Sequence, residues 1–168
     1  MSHGTLLLDK NQMLQKIRRM AFEIYERNHE EKVIVFAGIF EKGYRFAELL
    51  LREFESISPL KTELVRIDLD KRSLLQTEIT LDCSIESLQN KTVILVDDVL
   101  STGRTLAYSL KPFLNIEIKK LQTAVVVDRE HSLFPISSSY TGYSLSTTLQ
   151  EHIHVELFNE SEMGVYLR

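Results

Sequence analysis

Three short runs of apolar, largely β-branched residues constrain the fold of this chain more than any other feature. They lie at residues 32–37, 92–96 and 121–127. Continuous apolar runs of this length are typical of strands that are buried on both faces, as in a parallel sheet. Segments of helical periodicity lie between them, and strands that alternate with helices predict an α/β fold with a mainly parallel central sheet.

Apolar spacing predicts three helices around these strands. Residues 10–28 repeat apolar side chains at helical intervals, and Asp9 is placed to cap the N-terminus. A second helix is predicted over 44–54, and a third over about 102–110, where Pro112 ends it. Shorter strands are predicted at 62–67, 140–143, 153–158 and 165–167, whereas 68–90 show only weak strand signals, around 77–81.

Charge and cysteine content exclude several classes of protein. The 168 residues suit one domain, and the net charge of −4 gives no chain-wide attraction to nucleic acid or anionic lipid. No apolar run approaches the roughly 20 residues that a membrane helix needs. The single cysteine, Cys83, cannot form a disulfide within the chain. We therefore expect a single-domain cytoplasmic protein that does not act at a membrane.

Polar or glycine-containing sequence follows three of the predicted strands. These segments are 38–43, 97–105 and 128–131. In open α/β sheets, ligands bind at the carboxyl ends of the strands, which meet at one edge. The sequence therefore predicts that the three segments form one site.

The segment 97–105 carries the strongest chemical signal. Asp97 and Asp98 end a buried strand, and a hydroxyl-rich stretch with a glycine opens the next helix. Backbone N–H groups, hydroxyl donors and a glycine that permits close approach form a cradle for an anion. The two carboxylates suit sugar hydroxyls or a hydrated Mg²⁺. The alternative is structural: the acids and Ser101 or Thr102 would simply cap the helix.

The motif in this segment resembles that of a known enzyme family. Residues 93–105, Val-Ile-Leu-Val-Asp-Asp-Val-Leu-Ser-Thr-Gly-Arg-Thr, closely resemble the motif with which type I phosphoribosyltransferases bind phosphoribosyl pyrophosphate (PRPP). Further segments, including Glu26-Arg27-Asn28 and Val-Asp-Arg-Glu-His at 127–131, are similar to the pyrimidine-operon regulator/uracil phosphoribosyltransferase family. The resemblance implies the type I phosphoribosyltransferase fold over 1–168, with a small hood formed by about 1–10 and 132–168.

The resemblance also implies a role for each candidate residue. Asp97 and Asp98 would be catalytic, contacting the ribose hydroxyls and the Mg²⁺–PRPP complex. The loop over 37–43 would bind pyrophosphate, and Asp128 and Arg129 would lie at the base-binding end. For Arg129 the alternative is a surface salt bridge with Glu130, and for Lys42 an ordinary exposed position. The 5-phosphate would bind to Ser101, Thr102, Gly103, Arg104 and Thr105, and the pyrophosphate to Gly38, Lys42 and Gly43.

The implied function is Mg²⁺-dependent transfer of ribose 5-phosphate from PRPP to a nucleobase nitrogen, with uracil favoured and pyrophosphate released. Alternatives are a PRPP- or nucleotide-sensing regulator that binds RNA, and a purine-base phosphoribosyltransferase. The basic residues Lys16, Arg18 and Arg19 could touch RNA, but the net charge and Phe22, where the family tends to have a polar residue, disfavour RNA control.

Other patterns lead to weaker predictions. His152, His154 and Glu156 alternate and could bind Zn²⁺ from one face of a strand, or could form its solvent-facing side. A signalling receiver domain is disfavoured because its acid pair normally lies near the N-terminus, and a hydrolase because no Gly-x-Ser-x-Gly elbow is present. More apolar residues lie on 44–54 than one core-facing stripe can bury, which predicts a homodimer or higher homo-oligomer.

Overall fold

A computed structural model describes residues 4–70, 72 and 78–168. Along the chain its helices and strands are β1 (Thr5–Leu8), α1 (Lys10–Asn28), β2 (Val33–Ile39), α2 (Lys42–Ile57), β3 (Lys61–Asp68), β4 (Thr80–Leu81), β5 (Thr92–Leu100), α3 (Arg104–Ser109), β6 (Lys120–Asp128), β7 (Tyr140–Ser144), β8 (Ile153–Glu156) and β9 (Gly164–Leu167). Short 3₁₀ helices cover Ile85–Leu88 and Lys111–Asn115.

The main sheet has six strands in the order β4-β3-β2-β5-β6-β7. Every neighbouring pair is parallel except β3 and β4, which are antiparallel. This confirms the predicted α/β fold with a mainly parallel sheet. The predicted strands around 77–81 correspond to β4 in part, and residues 71 and 73–77 lie outside the described part of the chain.

Alternation along the central strands divides the core into two layers. Side chains such as Ile94 and Val96 of β5 pack with α1 and α2 on one face. Val93 and Leu95 point to the other face, where Leu106 of α3 packs with them. Because both faces are covered, the central strands are apolar at nearly every position, as the continuous runs predicted.

Local sequence explains α1 in full. Asp9 forms a capping box: its carboxylate accepts from the backbone N–H of Gln12 at 2.8 Å, and the Gln12 side chain accepts from the Asp9 N–H at 3.0 Å. The predicted bounds and cap are both confirmed. The apolar stripe that faces the core is Met13, Ile17, Met20, Ala21 and Ile24.

A second, three-stranded antiparallel sheet in the order β1-β9-β8 forms the hood. The segment 132–168 that was expected to belong to the hood divides in two, because β7 pairs with β6 in the main sheet. Arg19 of α1 donates to the carbonyl of Thr141 at 2.7 Å, and Arg27 donates to that of Ser139 at 3.1 Å. These bonds fasten α1 to the start of β7.

The apolar residues of α2 are covered within the chain. Leu49 is buried, and Leu51 is half-buried against the core formed with α1. The sequence argument for a leftover apolar surface on this helix was therefore wrong, since a helix lying between a sheet and another helix buries a wider arc than one stripe. In the part of the chain that the structure describes, no helix is both long and apolar enough to cross a bilayer.

Candidate active site

The first turn of α2 packs directly against β5. A Cβ atom on Gly43 would lie 2.8 Å from the carbonyl oxygen of Val96 and 2.9 Å from the Asp97 Cα. A Cβ on Gly38 would lie 2.5 Å from the Cα of Tyr44. Only glycine permits these approaches, so tertiary packing requires both glycines. They do not lie in one loop over 37–43 as predicted, because Gly38 belongs to β2 and Gly43 to the first turn of α2.

Strand β5 extends beyond the point that the sequence predicted. The apolar run ends at Val96, but pairing with β6 continues as far as Leu100, which lies opposite Asp128. Asp97 and Asp98 are therefore inside the strand rather than after it. Successive side chains on a strand point to opposite faces, so the two carboxylates do not lie side by side.

The two acids have different surroundings. Asp97 is only 1 % exposed; it accepts from the backbone N–H of Asp98 at 2.9 Å and lies against Gly43. Asp98 is half-buried. Within the described residues, no group of three or more His, Cys, Asp or Glu side chains could hold a metal ion. Two carboxylates fit Mg²⁺ only when substrate oxygens and water complete its coordination, as Mg²⁺ commonly requires.

Residues 101–105 enclose a cavity of about 60 Å³, which Asp97 also lines. Gly103 has a φ of +88°, in the left-handed region that favours glycine. Its carbonyl accepts from the N–H of Ala107 at 2.9 Å, which begins α3. We call this cavity the cradle. This volume is enough for several water molecules or for a small polar group of a ligand.

One cationic donor at the cradle is unsatisfied. Among the described residues, the buried Nε of Arg104 has no hydrogen-bond partner. The guanidinium lies over the ring of Phe134, 5.6 Å from its centroid, and Tyr108 packs on the same ring at 6.0 Å. A buried donor without a partner is costly, so this nitrogen favours a bound anion.

The segment after β6 closes over the cradle. The backbone N–H groups of Leu133 and Phe134 both donate to the carbonyl of Thr102, at 2.8 and 3.0 Å. Sequence reasoning missed Phe134 as a site residue. No periodicity or motif at this position indicates that the ring lies against an arginine.

Arg129 joins the end of β6 to the cradle and to residues 147–151. Its Nε and Nη2 donate to the hydroxyl of Thr147 at 2.9 and 2.8 Å, Nη1 to that of Ser101 at 3.2 Å, and Nη2 to the carbonyl of Glu151 at 2.8 Å. The alternative salt bridge with Glu130 is not observed; the Glu130 carboxylate accepts from a serine hydroxyl instead.

Two further side chains support the same end of the site. The Asp128 carboxylate accepts from the N–H of Glu130 at 2.8 Å, and the His131 ring donates to the carbonyl of Thr147 at 2.6 Å. His131 was part of the family resemblance, but Thr147 lies in a run of serine and threonine residues that carried no signal.

Lys42 begins α2 and reaches the hood. Its Nζ lies 3.3 Å from His154 Nδ1, and His154 Nε2 lies 3.5 Å from a Glu156 carboxylate oxygen. The structure thus brings His154 and Glu156 together, as a zinc site would require. His152 is exposed, and the other polar neighbour of the His154 ring is the Lys42 ammonium group. A cationic neighbour disfavours a metal cation at this position.

Comparisons with known proteins agree with this geometry. Residues 3–157 match the family model described as "Phosphoribosyl transferase domain". The chain is 33% identical over 156 residues to the "Bifunctional protein PyrR" of Caldicellulosiruptor bescii, covering 89% of this chain and 86% of that one. It is 32% identical over 166 residues to the protein of the same name from Bacillus pumilus, covering 94% and 92%.

Solved structures show the same fold at lower identity. A hypoxanthine phosphoribosyltransferase from Trypanosoma cruzi superposes with a TM-score of 0.81 at 14% identity, covering 99% of this chain and 98% of that one. A hypoxanthine-guanine phosphoribosyltransferase from Bacillus anthracis gives a TM-score of 0.73 at 20% identity, covering 86% and 84%. Together, the family match over most of the chain, the relatives above 30% identity and the shared architecture show that this chain belongs to the type I phosphoribosyltransferase family.

Proposed function

We propose that this phosphoribosyltransferase transfers the ribose 5-phosphate of PRPP to a nucleobase nitrogen, with uracil as the favoured base, and uses Mg²⁺. The observation that carries the proposal is the position of Asp97, which lines the cradle and also touches Gly43 in the first turn of α2. One buried carboxylate therefore lies between two candidate phosphate-binding segments. A ligand with a phosphate at one end, ribose hydroxyls in the middle and a pyrophosphate at the other matches this arrangement.

At the cradle, residues 101–105 bind the 5-phosphate. The backbone N–H groups and hydroxyls of this segment are donors, and the unsatisfied Arg104 Nε adds a charged one. At the other end, Lys42 and Gly43 at the start of α2 face the pyrophosphate together with Gly38 near the end of β2. Asp97 and Asp98 contact the ribose hydroxyls and the waters or oxygens around Mg²⁺, which neutralises charge on the leaving group when it is bound.

The reaction is a displacement at the anomeric carbon of the ribose. The bond from this carbon to the pyrophosphate oxygen breaks, and pyrophosphate leaves with the electron pair. A bond to the base nitrogen forms, and the proton of that nitrogen passes to water. The chain supplies positioning and charge stabilisation rather than a covalent intermediate.

Asp128 and Arg129 form the base-binding end. Because the Arg129 guanidinium already donates to Ser101, Thr147 and Glu151, it shapes the wall of this end and links it to the cradle. Uracil is favoured by the resemblance to uracil phosphoribosyltransferases and by the relatives named PyrR. The purine-base alternative rests on structural neighbours at 14–20% identity, which are evidence for the fold alone.

Pyrophosphate release from PRPP, measured with uracil, hypoxanthine and guanine in separate reactions, tests the proposal. We expect release with uracil that stops when EDTA removes Mg²⁺ and returns when Mg²⁺ is added. Faster release with a purine would replace the base assignment. Absence of PRPP binding by calorimetry at millimolar concentration would overturn the whole proposal.

A second candidate function is RNA-binding regulation, which the resemblance to the pyrimidine-operon regulator family favours and with which the word "bifunctional" in the relatives' name is consistent. Two of the basic residues on α1 are engaged within the chain: Arg18 pairs with Glu53 at 3.0 Å, and Arg19 with Glu23 at 3.0 Å. Phe22 lies on the same helix and is 44% exposed. We therefore expect only weak RNA binding that falls steeply with salt. Nanomolar, sequence-specific binding at physiological salt would make regulation a main role.

The homodimer or higher homo-oligomer remains an expectation of the family resemblance, because the structure covers the α2 surface on which the sequence argument depended. Light scattering at micromolar concentration tests it. A mass of 19.5 kDa would contradict the expectation, and a multiple of that mass would support it.

A further inference from the structure

A histidine of the hood contacts the lysine at the pyrophosphate end of the site. Lys42 comes from the first turn of α2 and His154 from β8, 112 residues later in the chain. Nζ and Nδ1 are 3.3 Å apart, and the opposite ring nitrogen is 3.5 Å from a Glu156 carboxylate oxygen. The side chains of Glu156, His154 and Lys42 therefore form a continuous row from the hood to the start of α2.

The chemistry of the lysine determines the state of the histidine. A lysine ammonium has three donors and no acceptor, so His154 Nδ1 must be the acceptor. The imidazole is then neutral and carries its proton on Nε2, which donates toward Glu156. This tautomer is the one that leaves Nδ1 free to accept from Lys42.

The charged surroundings support a neutral imidazole. Burial lowers the pKa of His154, the positive charges of Lys42 and Arg168 lower it further, and Glu156 opposes these effects. Lys42 faces the ring from α2, Glu156 from the same strand, and Arg168 from the residue that follows β9; the ring of Tyr166 in β9 lies 6.3 Å away. Two cations against one carboxylate disfavour a third positive charge.

The hood does not need this contact in order to stay attached. Val155 and Leu157 are fully buried in the core formed with α1 and α2. Arg45 of α2 also donates to the carbonyl of Leu157 at 3.4 Å. Because burial and a second hydrogen bond already hold β8 against α2, the bond between Lys42 and His154 has another consequence: it restricts where the ammonium group can lie.

We propose that His154 is a positioning residue that holds the Lys42 ammonium toward the pyrophosphate of PRPP. The proposal rests on the proposed function, which assigns Lys42 to the pyrophosphate end. A lysine side chain loses much rotamer freedom when it binds a ligand. With one N–H already donated to His154, that freedom is reduced before the ligand arrives, and two N–H groups remain for phosphate oxygens.

Three variants separate positioning from a structural role. His154→Phe keeps a ring of similar size but removes the acceptor, whereas His154→Asn places a carbonyl oxygen near the position of Nδ1. His152→Phe is the matched control, because His152 lies two residues earlier on the same side of the chain and its ring is exposed. We expect His154→Phe to raise the KM for PRPP about fivefold with kcat nearly unchanged, a loss of the size typical of one ordinary hydrogen bond. His154→Asn should restore most of the affinity, and His152→Phe should have no effect.

The product nucleotide provides a second readout. Uridine monophosphate has the 5-phosphate and the base but no pyrophosphate, so its affinity should be the same in wild type and His154→Phe. In a Lys42→Met background, His154→Phe should have no further effect on PRPP affinity, as a double-mutant cycle for a contacting pair requires. An NMR titration should show that Lys42→Met raises the imidazole pKa of His154, because a neighbouring positive charge is removed.

Each outcome is decisive. Equal losses of affinity for PRPP and for the nucleotide in His154→Phe would overturn the proposal and make His154 a brace of the hood. Unchanged PRPP affinity in His154→Phe would also overturn it. A wild-type protein that does not bind PRPP would instead overturn the proposed function, which is a separate result.

Discussion

The two ends of the candidate site that we propose to bind phosphate groups are built in different ways. The cradle at residues 101–105 comes from one contiguous segment, and its shape is set by the backbone around Gly103. The pyrophosphate end combines the start of α2 with β5 and with β8 of the hood, through Gly43 and the contact between Lys42 and His154. A local motif thus defines one end, whereas long-range packing defines the other, and substitutions should affect the two ends differently.

The largest expected effect comes from the carboxylates that lie between the ends. We expect the double variant Asp97→Asn/Asp98→Asn to lower turnover by a factor of about 10² to 10³, as loss of charge stabilisation in a site does. The fold should persist, because an asparagine at 97 can still accept from the N–H of residue 98. Steady-state kinetics and a thermal melt measure the two effects.

Asp68→Asn is the matched control for this double variant, since Asp68 is an acid on β3 of the same sheet and pairs with Arg66. Normal turnover in the double variant, or an unfolded double variant beside a folded Asp68→Asn, would show that the acids are structural.

A second pair of variants compares the glycines of the two ends. Gly43→Ala should destabilise the protein by about 2–3 kcal/mol, because its Cβ would meet backbone atoms of Val96 and Asp97 below 3.0 Å. Gly103→Ala should cost about 1–2 kcal/mol, since its nearest neighbours would be 3.4 Å away and the cost comes from the positive φ. Urea denaturation gives both free energies of unfolding. A larger loss of stability in Gly103→Ala than in Gly43→Ala would contradict the difference that we infer between the two ends.

The ring that covers the cradle should matter less than the glycines. Phe134→Leu keeps an apolar side chain but removes the contact with the Arg104 guanidinium, which is worth about 0.5–2 kcal/mol. We expect a severalfold rise in the KM for PRPP together with a similar loss of affinity for the nucleotide, because both ligands carry the 5-phosphate. Leu133→Ala is the control, because Leu133 is exposed. A loss of affinity for PRPP alone would contradict this placement, because it would assign the Phe134 ring to the pyrophosphate end of the site.

The smallest effect concerns pH and the hood. The lowered pKa of His154 means that the unfolded chain binds this proton at a higher pH than the folded chain. Its contribution to stability is complete above the ordinary imidazole pKa of about 6.5 and decreases as pH falls from there to the folded pKa. His154→Asn should remove this part of the dependence of the unfolding free energy on pH. Free energies of unfolding at pH 7.5 and 5.5 test it, and identical slopes in both proteins would contradict it.

The elements that local sequence predicted are those with a local cause. The helix α1 has its capping box and its apolar stripe within its own 19 residues and Asp9. The apolar run at 92–96 predicted the buried half of β5. The remainder, as far as Leu100, was not predicted, because two acids interrupt the apolar run at 97 and 98 and the strand continues past them through its pairing with β6.

By itself, the sequence determined the parallel α/β architecture and the cradle, because both depend on residues that are neighbours in the chain. These are the apolar runs that must be buried and Gly103, which lies between β5 and the first residue of α3. Only the tertiary structure decided that Arg129 donates to Ser101 and Thr147, and that Lys42 donates to His154. A hydrogen bond between side chains far apart in sequence requires no periodicity and no composition bias. Its partners are chosen by where the strands and the hood place them.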